Sequence, residues 1–321
     1  MAGQLWGTNS VGGFMYSDEL SDYLRLQNFP LTKWRPLADA KDFSDKGYHS
    51  GDTVHWNIYE DVATQGTTLT EGTAIPETNF QIKQGTATIS EWGNAVPFTG
   101  KLDDLSSHPV KEIINKVLRR DVVKAFDTAV WDQIKLSKLR VVGTSETAIT
   151  LTTNGTATAT NTSNLSNSNL KSIVDTMKER DIPAYQGDDY IAIARPTTWR
   201  PLKDDLETIE SHTTEGFQRI INGLKGRYYG CQFVEQTHIA AAASGVWTTS
   251  NASDWAVFMG EDTCAEIIVR PEEIRGKIPT DFGRSRGVAW YAEEGFSLVH
   301  KGDGTQGRVQ DARVVIWDSA A

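Results

Sequence analysis

The chain has 321 residues, 39% of them hydrophobic and 23% charged, enough to bury a sizeable core and unlike a disordered protein. No run of about 18 apolar residues occurs, and Met1 to Leu5 lack the basic segment and apolar block of a secretion signal, so synthesis in a cytosol without a membrane span is expected. A formal net charge of −10 excludes attraction to nucleic acid by the overall field, and two cysteines, Cys231 and Cys264, are too few for a disulfide framework and stand in no metal-ligand spacing.

Residues 1–50 are broken by Gly12, Gly13, Pro30 and Pro36 between short apolar clusters such as Tyr23, Leu24, Leu26 and Phe29. They read as an extended arm with one short helix near Ser17 to Leu26. Val54, Trp56 and Ile58 then alternate with His55, Asn57 and Tyr59, the period of a half-buried strand. From Asp61 to Gly85 the chain is rich in Thr, Gly and Gln with sparse apolar residues, Leu69, Ile75, Phe80 and Ile82, before alternation resumes at Ala87 and Ile89. This pattern predicts a long two-stranded hairpin with its tip at Thr70 to Pro76. Such a hairpin is marginal alone in water, so it rests either on its own domain or on a neighbouring chain.

Pro109 to Lys138 carries the strongest helical signal, with Val110, Ile114, Leu118, Val122, Phe126, Val130 and Ile134 among the residues of one apolar stripe. Ser106 or Ser107 is expected to cap its start, Pro109 to sit in the first turn and Gly143 to lie past the end. The rod would be about 45 Å long. Its other face sets Lys111, Lys116, Arg119, Arg120, Lys124, Lys135 and Lys138 against Glu112, Asp121, Asp127 and Asp132. That face is either simply solvated or suited to sequence-independent contact with phosphate.

Gly143 to Asn169 is almost wholly Thr, Ser, Asn, Ala and Gly, a surface loop or flat hairpin. Its N-x-S/T triplets, with one more at Asn251, are read as compositional accidents. A short amphipathic helix from Leu170 to Arg180, a buried strand from Tyr190 to Ala194 and a helix from Thr197 to Leu206 suggest an α/β unit. Five short strands follow, Trp255 to Met259, Ala265 to Val269, Gly287 to Tyr291, Phe296 to His300 and Arg313 to Trp317. The class is α+β with segregated elements.

Catalytic signatures do not emerge. The six histidines are scattered, and no zinc-protease pair, phosphate-cradling loop, dinucleotide fingerprint or nucleophile elbow is present. Gly302, Gly304 and Gly307 open no helix and read as a hairpin loop. Adjacent acids at Asp103/Asp104, Asp188/Asp189, Asp204/Asp205, Glu272/Glu273 and Glu293/Glu294 point in different directions and are expected to be solvated. Trp56, Trp290 and Trp317 in alternating strands, and Trp131 on the helix, favour core or interface packing over a sugar platform.

The order of parts, with Gly51-Asp-Thr-Val54, Leu69-Thr-Glu-Gly-Thr-Ala-Ile-Pro76, Trp92-Gly-Asn-Ala-Val-Pro-Phe-Thr99, Leu102-Asp-Asp-Leu105, Tyr190-Ile-Ala-Ile-Ala-Arg-Pro196 and Val257-Phe-Met-Gly260, resembles the major capsid proteins of tailed bacteriophages with the Hong Kong 97-type fold. The coliphage N-four capsid protein family is the particular likeness. The resemblance covers nearly the whole chain, and its specificity lies in the order of short motifs. It implies an N-terminal arm (1–50), an extended loop (51–100), a peripheral domain with a spine helix (101–140), an axial domain (141–258) and peripheral strands with the C-terminus (259–321).

It further implies hexamers and pentamers of an icosahedral shell around double-stranded DNA, with no enzymatic activity and no cofactor. Such a shell is assembled in the host bacterial cytoplasm and resides in the virion. A separate scaffolding protein is expected, since the arm begins almost at once, together with a portal protein and, optionally, a decoration protein. Leu69, Ile75, Phe80, Lys83 and Trp92 are the candidate subunit contacts; Lys116, Arg119 and Arg120 are the candidate residues facing DNA. The type member of this fold links neighbours covalently through a Lys in the extended loop and an Asn in the peripheral domain. Lys83 is present here, but no Asn follows Asn251. Mature particles should therefore run as a single band on a denaturing gel; a ladder of covalent oligomers would refute this. The alternative reading is a carbohydrate-binding or hydrolytic virion protein, or a portal-like ring.

Overall fold

The computed structural model describes residues 28–42, 51–59, 62, 64–80, 82–156, 163–210, 226–240, 254–279, 281–300 and 312–318. The expected helix near Ser17 and the Gly302 to Gly307 turn lie outside them. The strands are β1 (Asp39–Asp42), β2 (Thr53–Tyr59), β3 (Ile82–Thr88), β4 (Ser90–Thr99), β5 (Leu139–Gly143), β6 (Ile149–Thr152), β7 (Tyr190–Ala194), β8 (Arg227–Tyr228), β9 (Cys231–Glu235), β10 (Ala256–Met259), β11 (Cys264–Gly276), β12 (Ser285–Leu298) and β13 (Val314–Trp317). The helices are α1 (Gly100–Leu105), α2 (Val110–Ile134), α3 (Asn167–Glu179) and α4 (Arg200–Glu210), and a 3-10 turn spans Arg35–Leu37.

Two sheets organise the core. One has the order β1-β11-β12-β4, antiparallel except for β1, which runs parallel to β11. The apolar stripe of α2 packs on it: Ile114, Leu118, Val122, Phe126, Val130 and Ile134 are all buried. The second sheet has the order β6-β5-β13-β10-β7-β9-β8. Its central strands are apolar at every position because both faces are covered. Ile191, Ile193, Val257 and Met259 join the α2 core, whereas Tyr190, Ala192, Ala194 and Phe258 face a second core with α3. The period of two thus welds both cores through one sheet.

Several boundaries differ from the sequence reading. The long helix has 25 residues and spans about 37 Å. No side chain caps it: Ser106 instead ends α1, whose own cap is the Thr99 hydroxyl accepting from the Leu102 N–H at 3.3 Å. Gly143 lies nine residues past the helix as the last residue of β5, where a Cβ would come 2.4 Å from the Trp317 ring. Close approach of an indole, not a helix end, requires this glycine. The runs at Gly287 and Phe296 belong to one strand, β12, which passes through Glu293 and Glu294 without a turn. The helix expected at Thr197 begins at Arg200.

Candidate assembly surfaces

The base of the hairpin β2–β3 is tied to its own chain. The Trp56 indole lies across Gly85, where a Cβ would stand 2.2 Å from the ring, and its Nε1 donates to the Val299 carbonyl at 3.3 Å. The Ser297 hydroxyl donates to the Thr86 carbonyl at 2.9 Å. Beyond the seven paired residues a turn lies at Thr70 to Thr73, where Gly72 takes φ +84. Leu69, Ile75 and Phe80 there are 57%, 70% and 57% exposed. These three large apolar side chains keep more than half of their surface exposed.

Lys83 is half-buried in β3 opposite Ile58. Trp92 is brought instead into its own chain: its ring meets Phe126 and Phe296 edge-on at 5.9 and 6.0 Å, and its Nε1 donates to the Glu294 carbonyl at 3.0 Å. On α2, Lys116 and Arg119 are exposed, while the Arg120 guanidinium lies 5.1 Å from the centre of the Phe29 ring. Lys111 pairs with Asp103 and Lys135 with Asp132, so the basic face is narrower than the sequence suggested. A second apolar projection, unlisted in the sequence reading, is the turn between β11 and β12. There Ile278 is 84% exposed and Phe282 wholly so, on a backbone with positive φ at Asp281 and Phe282.

The anchor of residues 31–42 also escaped the sequence. Asp127 of α2 is fully buried; its Oδ1 accepts from the Trp34 N–H at 2.7 Å, and its Oδ2 bonds His238 Nδ1 at 2.9 Å. Trp34 packs on Trp131 and Trp255 at 5.1 and 5.7 Å. Arg35 donates from Nε to Glu266 at 3.0 Å, reaches Glu272 at 3.2 Å, and covers the Phe126 ring at 4.5 Å. Burial pushes the neighbouring Glu294 carboxyl up to about 8, with Arg35 opposing and Glu266 and Glu272 adding to the rise.

The expectation that all paired acids are solvated is therefore corrected. Glu294 is 0% exposed, and Asp189 is buried because Arg227 Nε donates to it at 2.7 Å and Gln232 adds a second bond. Both cysteines are buried, and desolvation pushes each thiol up to about 12, so they stay protonated. Among the described residues no group of three His, Cys, Asp or Glu is arranged to hold a metal ion, and no helix is long and apolar enough to cross a membrane.

Exposed apolar side chains at the hairpin and at the β11–β12 turn suit contact with other molecules, and comparison with known proteins identifies the class. The phage capsid protein family model matches residues 83–304, more than half of the chain. Among solved structures, the cyanophage Pam1 capsid asymmetric unit is similar with TM-score 0.68 at 14% identity, over 98% of this chain and 99% of that one. The head structure of Helicobacter pylori bacteriophage KHP40 has TM-score 0.65 at 12% identity, covering 97% of each chain. The capsid of the native GTA particle has TM-score 0.61 at 13% identity, over 99% of this chain and 100% of that one. No curated protein matches the chain. The chain belongs to the phage capsid protein family, has the Hong Kong 97-type fold, and is a major capsid protein forming a phage head. It is a structural component of the virion, and its shell is assembled from copies of itself.

Proposed function

We propose that this protein forms hexamers and pentamers that close into an icosahedral head around double-stranded DNA, without catalytic activity. The observation that carries this reading is the hairpin: Leu69, Ile75 and Phe80 stay more than half exposed and suit an adjacent subunit, whose burial of them would drive association. The same logic assigns Ile278 and Phe282 to a second contact between subunits. Residues 51–100 act as the extended loop, although Ser90–Thr99 pairs along β12 and contributes to the sheet under the spine helix. The remaining divisions, 1–50, 101–140, 141–258 and 259–321, serve as arm, spine, axial domain and peripheral strands. Assembly proceeds in the host cytoplasm with a separate scaffolding protein, a portal protein and, optionally, a decoration protein.

Replacing Leu69, Ile75 and Phe80 together by Ser should leave the circular dichroism and melting of the subunit unchanged, because all three are exposed, while abolishing shells in sedimentation and microscopy. Shells forming at normal yield would overturn the assignment of the hairpin.

The exposed cations Lys116 and Arg119, with the half-buried Arg120, are the proposed contacts to packaged DNA. The double variant Lys116→Ala, Arg119→Ala should assemble normally but lose genome more readily in high salt, since remaining phosphate contacts are screened. Unchanged retention would return this face to solvent.

A further inference from the structure

Charge does not balance where residues 34–42 meet the sheet. Three carboxylates, Glu266 and Glu272 from β11 and Glu294 from β12, surround the single guanidinium of Arg35. Glu272 sits at the rim with its side chain 40% exposed, but those of Glu266 and Glu294 are 4% and 0% exposed. Arg35 bonds Glu266 and Glu272, whereas the nearer oxygen of Glu294 is 3.9 Å from Nη2, and among the described residues no N–H or hydroxyl donor reaches either of its oxygens. An ionised carboxylate buried without a donor is strongly disfavoured. Glu294 therefore keeps its proton, because only the neutral acid is tolerated at this depth beside Glu266 and Glu272.

We propose that residues 34–42 form a proton-controlled latch, in which the proton held by Glu294 lets one guanidinium lock this segment onto β11 and β12. The backbone half of the latch is Asp127, accepting from the Trp34 and Arg35 N–H groups, with His238 on its far side. Asp132, paired with Lys135, lines with Glu294 a cavity of about 380 Å³ between β3, α2 and β12. On β4, Glu91 stands in register with Glu293, one residue along from Glu294.

Docking then has two pH limits. Arg35 holds Glu272 below the ordinary carboxylate range against the opposing effect of burial, so its contribution is present above that range and lost as acid protonates it. Glu294 is raised, so docking is unpenalised below the ordinary carboxyl value and weakens as pH climbs toward about 8. Ionisation there places two buried carboxylates beneath one cation.

Hydrogen exchange of the full-length protein, corrected for the intrinsic pH dependence of exchange, tests this. Peptides covering residues 34–42 should exchange about tenfold faster or more at about pH 9 than at about pH 6, with β13 peptides as a constant internal reference. Glu294→Gln keeps the shape and a hydrogen-bond donor but cannot ionise, so it should remove the alkaline loosening and leave any acid loosening in place. Glu266→Gln gives Glu294 a donor and should flatten the same limb; it provides the reading if Glu294→Gln does not fold. A wild-type profile without alkaline loosening, or the same loosening in the folded variants, would overturn the latch.

Discussion

Replacing Phe126 by Ala is expected to lower the unfolding free energy of the subunit by about 3–5 kcal/mol. The ring is fully buried and lies at the centre of an aromatic group, with its centroid 5.9 Å from Trp92, 5.7 Å from Trp290 and 5.6 Å from Phe296. Those partners come from β4 and β12 and are held by the sheet, so they cannot collapse into the space. Arg35 also loses the ring face beneath its guanidinium. Urea titration of the isolated subunit measures the loss; a cost below about 1 kcal/mol would mean that the site relaxes and that this cluster does not organise the core.

Asp127→Ala is expected to cost about 2–5 kcal/mol and to free residues 31–42. The carboxylate joins three parts of the chain: α2 itself, the Trp34 and Arg35 amides, and His238 beyond β9. Alanine leaves a buried N–H at Trp34 without its acceptor and His238 without its partner. Asp127→Asn should recover part of the loss, since its carbonyl oxygen still accepts from Trp34. Limited proteolysis within residues 28–42, fast in the alanine variant and slow in wild type, reads the same event locally. Equal cleavage rates would show that the segment is held by other contacts.

How far the sequence disclosed this structure depended on whether a feature was local. The alternation of Val54, Trp56 and Ile58 and the stripe from Val110 to Ile134 are periodic, and both became elements within a few residues of the expected bounds. Tyr190 to Ala194 was legible because a strand covered on both faces is apolar throughout. Strand β12 was split in the reading because Glu293 and Glu294 interrupt two apolar runs, and acids usually mark solvent. What buries Glu294 is Arg35, far away in sequence, with Glu266 and Glu272 beside it. Asp127 was likewise counted with the solvated face of its helix, although the amides that it accepts lie 93 and 92 residues away. Gly143 has helix-ending chemistry, but its actual constraint is an indole on β13.

Of the surfaces, Leu69, Ile75 and Phe80 were legible because a thin hairpin cannot bury them, whereas Trp92 carried no mark distinguishing an outward ring from one aimed at Phe126. The Ile278 and Phe282 turn did carry a signal: each apolar residue stands directly before a turn former, Pro279 or Gly283, in a segment with no room for a core.

Electron microscopy of the chain, expressed with the gene products encoded beside it, tests the central claim most directly. Closed icosahedral shells, with the hairpin of each subunit lying against its neighbour, are the predicted result. Persistent monomers, or open rings of a single symmetry, would contradict it.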